Sequence, residues 1–85
     1  MDLNMEGNMG IVLNEKDILK LAIIDRRATQ VKVAEKLGIA QHTLSANINR
    51  ERISVDKFKT ILDALDYDVC VVDRKTGETA YVVEV

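Results

Sequence analysis

The chain has 85 residues, with 12 Lys or Arg and 14 Asp or Glu, so its formal net charge is −2. Apolar residues make up 47 % and charged residues 31 %, a composition typical of a soluble globular domain and too apolar for a disordered chain. A single domain of this size has little room for the deep pocket of an enzyme. We therefore expect a binding module or a regulator, and no catalysis.

The counts of special residues exclude several further classes. The single cysteine, Cys70, excludes a disulfide framework within the chain, and the single histidine, His42, gives no basis for a metal site. No apolar stretch approaches the roughly 20 residues of a membrane span, and the N-terminal residues lack the basic and apolar regions of a signal peptide. We expect a cytoplasmic protein with no cofactor and no membrane contact.

Residues 1–10 show no hydrophobic period and are predicted to be a flexible leader. The short apolar run Ile11–Leu13 is a hypothetical strand. The first predicted helix spans Glu15 to Arg26, because Asn14 before it is a good N-cap. The second follows a cap at Thr29 and ends at Gly38, where glycine adopts the left-handed conformation most easily.

Two more helices and a pair of strands complete the prediction. The third helix spans Gln41 to Asn49. The fourth follows a cap at Ser54 and has the predicted buried stripe Val55, Phe58, Ile61, Leu62 and Leu65. Residues 68–73 and 79–84 are rich in valine and separated by a glycine-containing turn, which predicts an antiparallel β-hairpin within residues 67–85.

The segment from Thr29 to Arg50, TQVKVAEKLGIAQHTLSANINR, has the spacing of a helix-turn-helix. Ala34 is small where two helices must cross closely, and Gly38 falls at the turn between them. Apolar side chains recur on the inner side, at Val33, Leu37, Ile39, Leu44 and Ile48. A plain helical bundle with a glycine C-cap is the alternative.

This segment resembles the Cro/repressor-type (XRE-like) helix-turn-helix family of phage and bacterial regulators over about residues 15–66. The positions that match the pattern of that family are Gln30, Ala34, Gly38, Ile39, Leu44 and Ser45. Two positions depart from it. Ala40 stands where the family often has a Ser or Thr cap, and Asn47 stands where an apolar residue is frequent, so Asn47 is either a half-buried amide or a phosphate contact.

The resemblance implies a mainly α fold with a small β element (α+β). It consists of a four-helix helix-turn-helix domain, residues 11–66, followed by a C-terminal antiparallel β-hairpin, residues 67–85. The hairpin stands in place of the usual fifth helix of the family, as in the short Cro-type architecture. Ile11 to Leu13 are hypothesised to pair with this hairpin as a third strand.

The third helix is the predicted recognition helix. At 100° per residue Leu44 and Ile48 define its inner face, so His42, Ser45, Ala46 and Asn49 cluster on the outer face. Gln41 projects from the N-terminal tip of the helix. The expected base contacts are Gln41, His42, Ser45 and Ala46. Gln41 is suited to adenine and Ala46 to a thymine methyl, and His42 can donate to guanine or to a phosphate. The alternative is a solvated polar face without a ligand.

Residues around this helix are the expected phosphate contacts. The resemblance implies that Gln30 bonds a phosphate and steadies Gln41, and the free N–H groups at the start of the second helix also suit a phosphate. The full expected set is Thr29, Gln30, Lys32, Thr43, Asn49, Arg50 and Arg52.

The distribution of charge also favours a nucleic-acid partner. Residues 26–59 contain eight basic and three acidic residues, whereas residues 1–25 and 60–85 are both net acidic. A basic middle with acidic ends is typical of one surface that faces DNA and another that faces away from it. Ordinary scatter is the alternative, since Lys57 and Lys59 can simply solubilise the fourth helix.

Both faces of the predicted hairpin are apolar, which is unusual for an exposed sheet. We expect the helices to cover one face and a second copy of the chain to cover the other, giving a homodimer through Val69, Val71, Tyr81 and Val83. A hairpin wholly within the core is one alternative. A DNA wing with Arg74 and Lys75 at its tip is another.

Together these patterns predict a sequence-specific transcriptional regulator of the repressor type. A homodimer inserts helix 41–49 of each copy into the major groove of a palindromic double-stranded operator, and the DNA-bound form is associated with the nucleoid. The alternative is a protein-interaction module or antitoxin whose hairpin binds a partner protein. An accessory DNA-binding protein of a mobile element is also compatible with the sequence.

Overall fold

The computed structural model describes residues 13–84 and has four helices followed by a two-stranded antiparallel hairpin. The elements in chain order are α1 (Glu15–Asp25), α2 (Gln30–Leu37), α3 (Gln41–Ile48), α4 (Val55–Ala64), β1 (Cys70–Val72) and β2 (Thr79–Val82). This confirms the predicted small α+β fold. Arg26 and Asn49, which were predicted as the last helical residues of α1 and α3, are the C-caps of those helices.

Short side chains begin three of the four helices. The side-chain oxygens of Asn14, Thr29 and Ser54 each accept a hydrogen bond from the backbone N–H three residues further on, at 2.9, 3.2 and 3.2 Å. Each bond satisfies one of the N–H groups that a helix start leaves without a partner. The residue before α3 is Ala40, which makes no such bond.

Three helices are followed by a residue in the left-handed backbone conformation, at which the chain turns away from the helix axis. Gly38 has φ 71° after α2, and the Ile39 N–H donates to the Ala34 carbonyl at 3.0 Å, as in a Schellman motif. Arg27 and Asp66 hold the same position after α1 and α4 with φ of 55° and 64°. Neither is glycine, so both ends carry the steric cost of a Cβ in this conformation.

The hydrophobic core lies between the four helices. Its fully buried side chains are Leu19, Leu44 and Ile48, and around them pack Ala22, Ile23, Val33, Ala34, Ile61, Leu62 and Leu65. Ala34 is only 2 % exposed, which is consistent with its predicted place at the crossing of α2 and α3. Because Leu44 and Ile48 are part of this core, the core fixes the orientation of α3 on the helical body.

The buried stripe of α4 differs from the prediction at two positions. Val55 is 61 % exposed, because it is the first residue of the helix and lies beyond the packed turns. Lys59 is buried at 6 % exposure and is not a solubilising side chain. Its ammonium lies 3.7 Å from the Asp63 carboxylate and 3.6 Å from that of Asp68.

Arg26 ties the end of α1 to the end of α4. Its guanidinium donates to the backbone carbonyls of Leu65, at 2.9 Å, and Asp66, at 3.2 Å. It also stacks on the ring of Tyr67, 4.0 Å from the centroid. Tyr67 lies three residues before β1, so this contact joins the end of α1 to the segment that leads into the hairpin.

The hairpin pairs Cys70 with Val82 and Val71 with Tyr81, and a bulge follows Val71. Its turn is closed by Asp73, whose side chain accepts from the Lys75 N–H at 2.8 Å. All residues of β1 and β2 are exposed, so the helices cover neither face and the prediction that they cover one is wrong. The alternative of a hairpin wholly in the core is wrong for the same reason.

The hairpin instead projects from the helices. The Cα radius of gyration is 13.9 Å, whereas about 11–12 Å is expected for a compact chain of this length. Val69 and Val83, at the base, are half-buried, and only Val69 packs against the core. Within residues 13–84 the sheet has two strands: Leu13 belongs to no strand, while Ile11, Val12 and the predicted leader lie outside the described residues.

Candidate nucleic-acid interface

The turn between α2 and α3 presents one face of α3 to solvent. Leu44 and Ile48 point into the core, as predicted from their spacing, and Asn47 is buried beside them. The other side chains of this helix are exposed at Gln41, His42, Thr43 and Ala46 and half-buried at Ser45. Of the four predicted base-contact residues, His42, Ser45 and Ala46 therefore share the outer face, and Gln41 is exposed at the N-terminal tip of the helix.

The chemistry of this face suits close approach to a duplex. Its side chains are short or end in an amide, hydroxyl or imidazole, and none carries an acidic group. A short polar helix face can enter the major groove, whose base edges offer donors, acceptors and methyl groups. In addition, Ala40 leaves the first N–H groups of α3 without a side-chain partner, so these donors are available to an acceptor such as phosphate.

The start of α2 carries three of the predicted phosphate contacts. Thr29 uses its oxygen as an acceptor in the cap, which leaves the hydroxyl proton for a ligand. Lys32 is exposed, and Gln30 is half-buried. Among the hydrogen bonds of residues 13–84, none joins Gln30 to Gln41, so the steadying bond that the resemblance implies is not formed in this structure.

Of the other four, Thr43 is exposed in the first turn of α3, and Asn49, Arg50 and Arg52 follow the end of that helix. Asn49 is already engaged. The Asn49 amide donates to the Ser45 carbonyl at 2.9 Å and approaches the Ser45 hydroxyl at 3.4 Å. This folds Asn49 back onto its own helix, and the same contact restrains Ser45. Arg50 and Arg52 lie beyond it in an exposed loop.

The loop after α3 lies beside the start of α1. Asn14, Glu15 and Lys16 line a shallow pocket together with Asn49, Arg50 and Glu51. Lys16 is therefore a second basic group near Arg50, although the two are far apart in the sequence. Glu15 and Glu51 moderate the positive potential at this place.

The basic residues of the middle segment divide into two groups. Arg26 and Lys59 are engaged as described above, and the Lys36 ammonium donates to the Ala64 carbonyl at 2.9 Å. These three bind the C-terminal half of α4 and the segment after it. Within residues 13–84 the remaining five form no ion pair: Arg27, Lys32, Arg50, Arg52 and Lys57. The sequence therefore overestimates the number of basic groups available to a ligand.

Asn47 faces away from the outer face of α3. It is 9 % exposed and lines a small cavity with Ile39, Lys57 and Thr60. Of its two sequence interpretations, this burial supports the buried amide, because a phosphate contact requires an accessible side chain. No hydrogen bond of this amide joins it to another described residue.

Other kinds of site have no counterpart in the described part of the chain. Residues 13–84 hold no cluster of three His, Cys, Asp or Glu side chains placed to bind a metal ion. None of their helices has the length and apolarity needed to cross a membrane. Comparison with protein-family models, curated proteins and solved structures gives no match for this chain.

Proposed function

We propose that this protein is a sequence-specific DNA-binding transcriptional regulator of the repressor type. The observation that carries the proposal is the exposed, non-acidic outer face of α3, which stands on a core-anchored helix and begins with uncapped N–H groups. The protein acts by binding, without catalysis or a cofactor, in the cytoplasm and on the nucleoid.

In this proposal α3 enters the major groove and the groups around it hold the backbone. Gln41 pairs with adenine, His42 donates to a guanine acceptor, and Ala46 contacts a thymine methyl. Thr29, Lys32 and the arginines after α3 contact phosphates and set the orientation of the helix. Asn49 is engaged with Ser45, so its role is to shape the helix end as well as to approach a phosphate.

One recognition helix makes few base contacts, so we propose a homodimer on a palindromic operator. The exposed apolar hairpin supports this part of the proposal, because a second copy would remove its apolar side chains from water. To read both halves of such an operator, the two copies of α3 must lie about one helical turn of DNA apart, about 34 Å.

Selection of bound duplexes from a random library tests the sequence specificity. The proposal predicts an enriched palindrome whose half-sites lie about 10 base pairs apart, centre to centre. Substitution of Gln41 should change the enriched bases, whereas substitution of exposed Glu35 on α2 should not. Enrichment of no sequence by a protein that remains folded would contradict the proposal.

A protein-interaction module is the second candidate, and the hairpin is the observation that favours it. Val71, Tyr81 and Val82 are each more than half exposed, and a partner protein would cover them as well as a second copy would. The oligomeric state separates the two. A stable monomer that does not bind DNA would favour the interaction module or antitoxin.

A further inference from the structure

Ser45 lies on the outer face of α3, three residues after His42 and four after Gln41. Residues at these spacings are neighbours on a helix surface, so Ser45 lies beside the two proposed base contacts of the first turn. A serine hydroxyl has one proton to donate and two lone pairs that accept. What Ser45 can offer to DNA therefore depends on which of these the protein itself already uses.

The hydroxyl of a serine or threonine inside a helix can donate its proton to the carbonyl four residues earlier. Thr60 of α4 does so, since its hydroxyl donates to the Asp56 carbonyl at 2.8 Å. The equivalent acceptor for Ser45 is the Gln41 carbonyl, but among the hydrogen bonds of residues 13–84 the Ser45 hydroxyl is a donor in none. The proton of Thr60 is thus used within its helix, whereas that of Ser45 is left for a ligand.

The side chain of Asn49 explains this difference. Its Nδ2 lies 2.9 Å from the Ser45 backbone carbonyl oxygen and 3.4 Å from the Ser45 Oγ. A carbonyl oxygen can only accept, so the end of the amide that faces Ser45 is the NH₂ group and not the amide oxygen. The Ser45 hydroxyl therefore accepts from Asn49, and a hydroxyl that accepts a hydrogen bond is polarised and becomes a stronger donor.

We propose that Asn49 is a positioning residue for Ser45, and that it holds the Ser45 hydroxyl as a donor to an acceptor on a base edge in the major groove. The acceptors there are N7 and O6 of guanine, N7 of adenine and O4 of thymine, whereas cytosine offers only an amino donor. Ser45 then discriminates against cytosine at one position of the half-site, and Asn49 determines this discrimination without contacting the base. The inference rests on the DNA binding of the proposed function.

Selection of bound duplexes by the wild-type protein and by variants of these two residues tests the role of Asn49. Ser45→Ala removes the hydroxyl and should abolish the discrimination against cytosine at one position, which is about fivefold for a single hydrogen bond. Asn49→Ala should weaken the discrimination at the same position and at no other, because the released hydroxyl can donate to the Gln41 carbonyl. The double variant should lose no more there than Ser45→Ala alone, since both residues act through one hydroxyl.

The control is Thr43→Ala, which removes a hydroxyl from the same helix at a proposed phosphate contact. It should weaken binding to all sequences alike and leave the base preferences unchanged. Circular dichroism confirms that each variant is folded. A second measurement needs no DNA: the side-chain amide signals of Asn49 in an NMR spectrum should shift in Ser45→Ala and not in Thr43→Ala.

Three results would overturn the inference in distinguishable ways. If Asn49→Ala binds all sequences more weakly with unchanged base preferences, Asn49 is a phosphate contact and does not act through Ser45. If Ser45→Ala keeps every preference of the wild-type protein, Ser45 is not a base contact. If the wild-type protein enriches no sequence, the proposed function itself fails and this inference fails with it, whatever the NMR measurement shows of the contact between Asn49 and Ser45.

Discussion

Individual residues of α3 divide into an inner and an outer set, and this division assigns their roles. Leu44, Asn47 and Ile48 hold the helix on the core, while Gln41 and His42 are exposed at its first turn. Contacts to base edges discriminate between sequences, whereas contacts to phosphates do not. Substitutions at the proposed base contacts and at the proposed phosphate contacts should therefore have different consequences.

Gln41→Ala and His42→Ala should each weaken binding to the selected operator by about 1–3 kcal/mol and affect random duplex much less. Arg50→Ala should weaken binding to both duplexes alike and reduce the salt slope by about 0.9 per protomer. Anisotropy titrations of operator and scrambled duplex measure both effects. Equal losses on the two duplexes for Gln41→Ala and His42→Ala would remove them as base contacts.

Asp66 combines two unfavourable features at the end of α4. It has a φ of 64°, and it places an acidic group at the negative end of the helix dipole. Asp66→Gly should therefore raise the free energy of unfolding by about 1 kcal/mol. Thermal unfolding followed by circular dichroism measures the change. Asp66→Asn removes the charge but keeps the Cβ, and it should give a smaller gain; a lower Tm for the glycine variant would contradict the account.

Among the elements, the end of α4 and the segment before the hairpin are both held by Arg26 at the end of α1. Arg26 donates to two carbonyls after α4 and stacks on Tyr67, which lies three residues before β1. These carbonyls lie at a helix end, where backbone acceptors lack intrahelical partners. The Arg26 side chain thus supplies donors to the carbonyls after α4 and also contacts Tyr67 ahead of the hairpin.

Arg26→Ala should lower the free energy of unfolding by about 1–3 kcal/mol, because it removes a charged donor from two carbonyls and the cation from the ring. Chemical denaturation measures the loss. Arg52→Ala, at an exposed loop arginine, is the matched control and should change stability by less than about 0.5 kcal/mol. Similar losses in the two variants would show that the Arg26 contacts contribute little.

Local patterns predicted the elements well because their causes are local. Asn14, Thr29 and Ser54 cap helices within three residues of themselves, and the spacing of Leu44 and Ile48 defines the outer face of α3. The causes of the other features lie far away in the chain. Arg26 bonds carbonyls 39 and 40 residues further on, close to the segment that leads into the hairpin.

The burial of Lys59 had a local indication. It lies three residues before Leu62, on the side of α4 that faces the core. A long basic side chain there can be buried only if acidic groups reach its ammonium, and Asp63 and Asp68 do so. The capture of Asn49 by Ser45 also follows helix spacing, since the two are four residues apart.

In the proposed function, the molecule as a whole has a DNA side and a dimer side. The DNA side consists of the outer face of α3 together with Arg27, Lys32, Arg50, Arg52 and Lys57, the residues of the basic middle segment whose charged groups no contact within residues 13–84 engages. The dimer side is the exposed apolar hairpin. The net charge of −2 does not oppose this division, because the DNA side needs only a local positive potential.

A single titration shows whether a dimer of this chain binds duplex DNA. Fluorescence anisotropy with random-sequence duplex at several salt concentrations gives the salt slope, and light scattering on the same sample gives the oligomeric state. We expect a dimer whose log–log slope is roughly −4 or steeper, since each neutralised phosphate contributes about 0.9. A folded chain that shows no binding at low salt would contradict the proposed function.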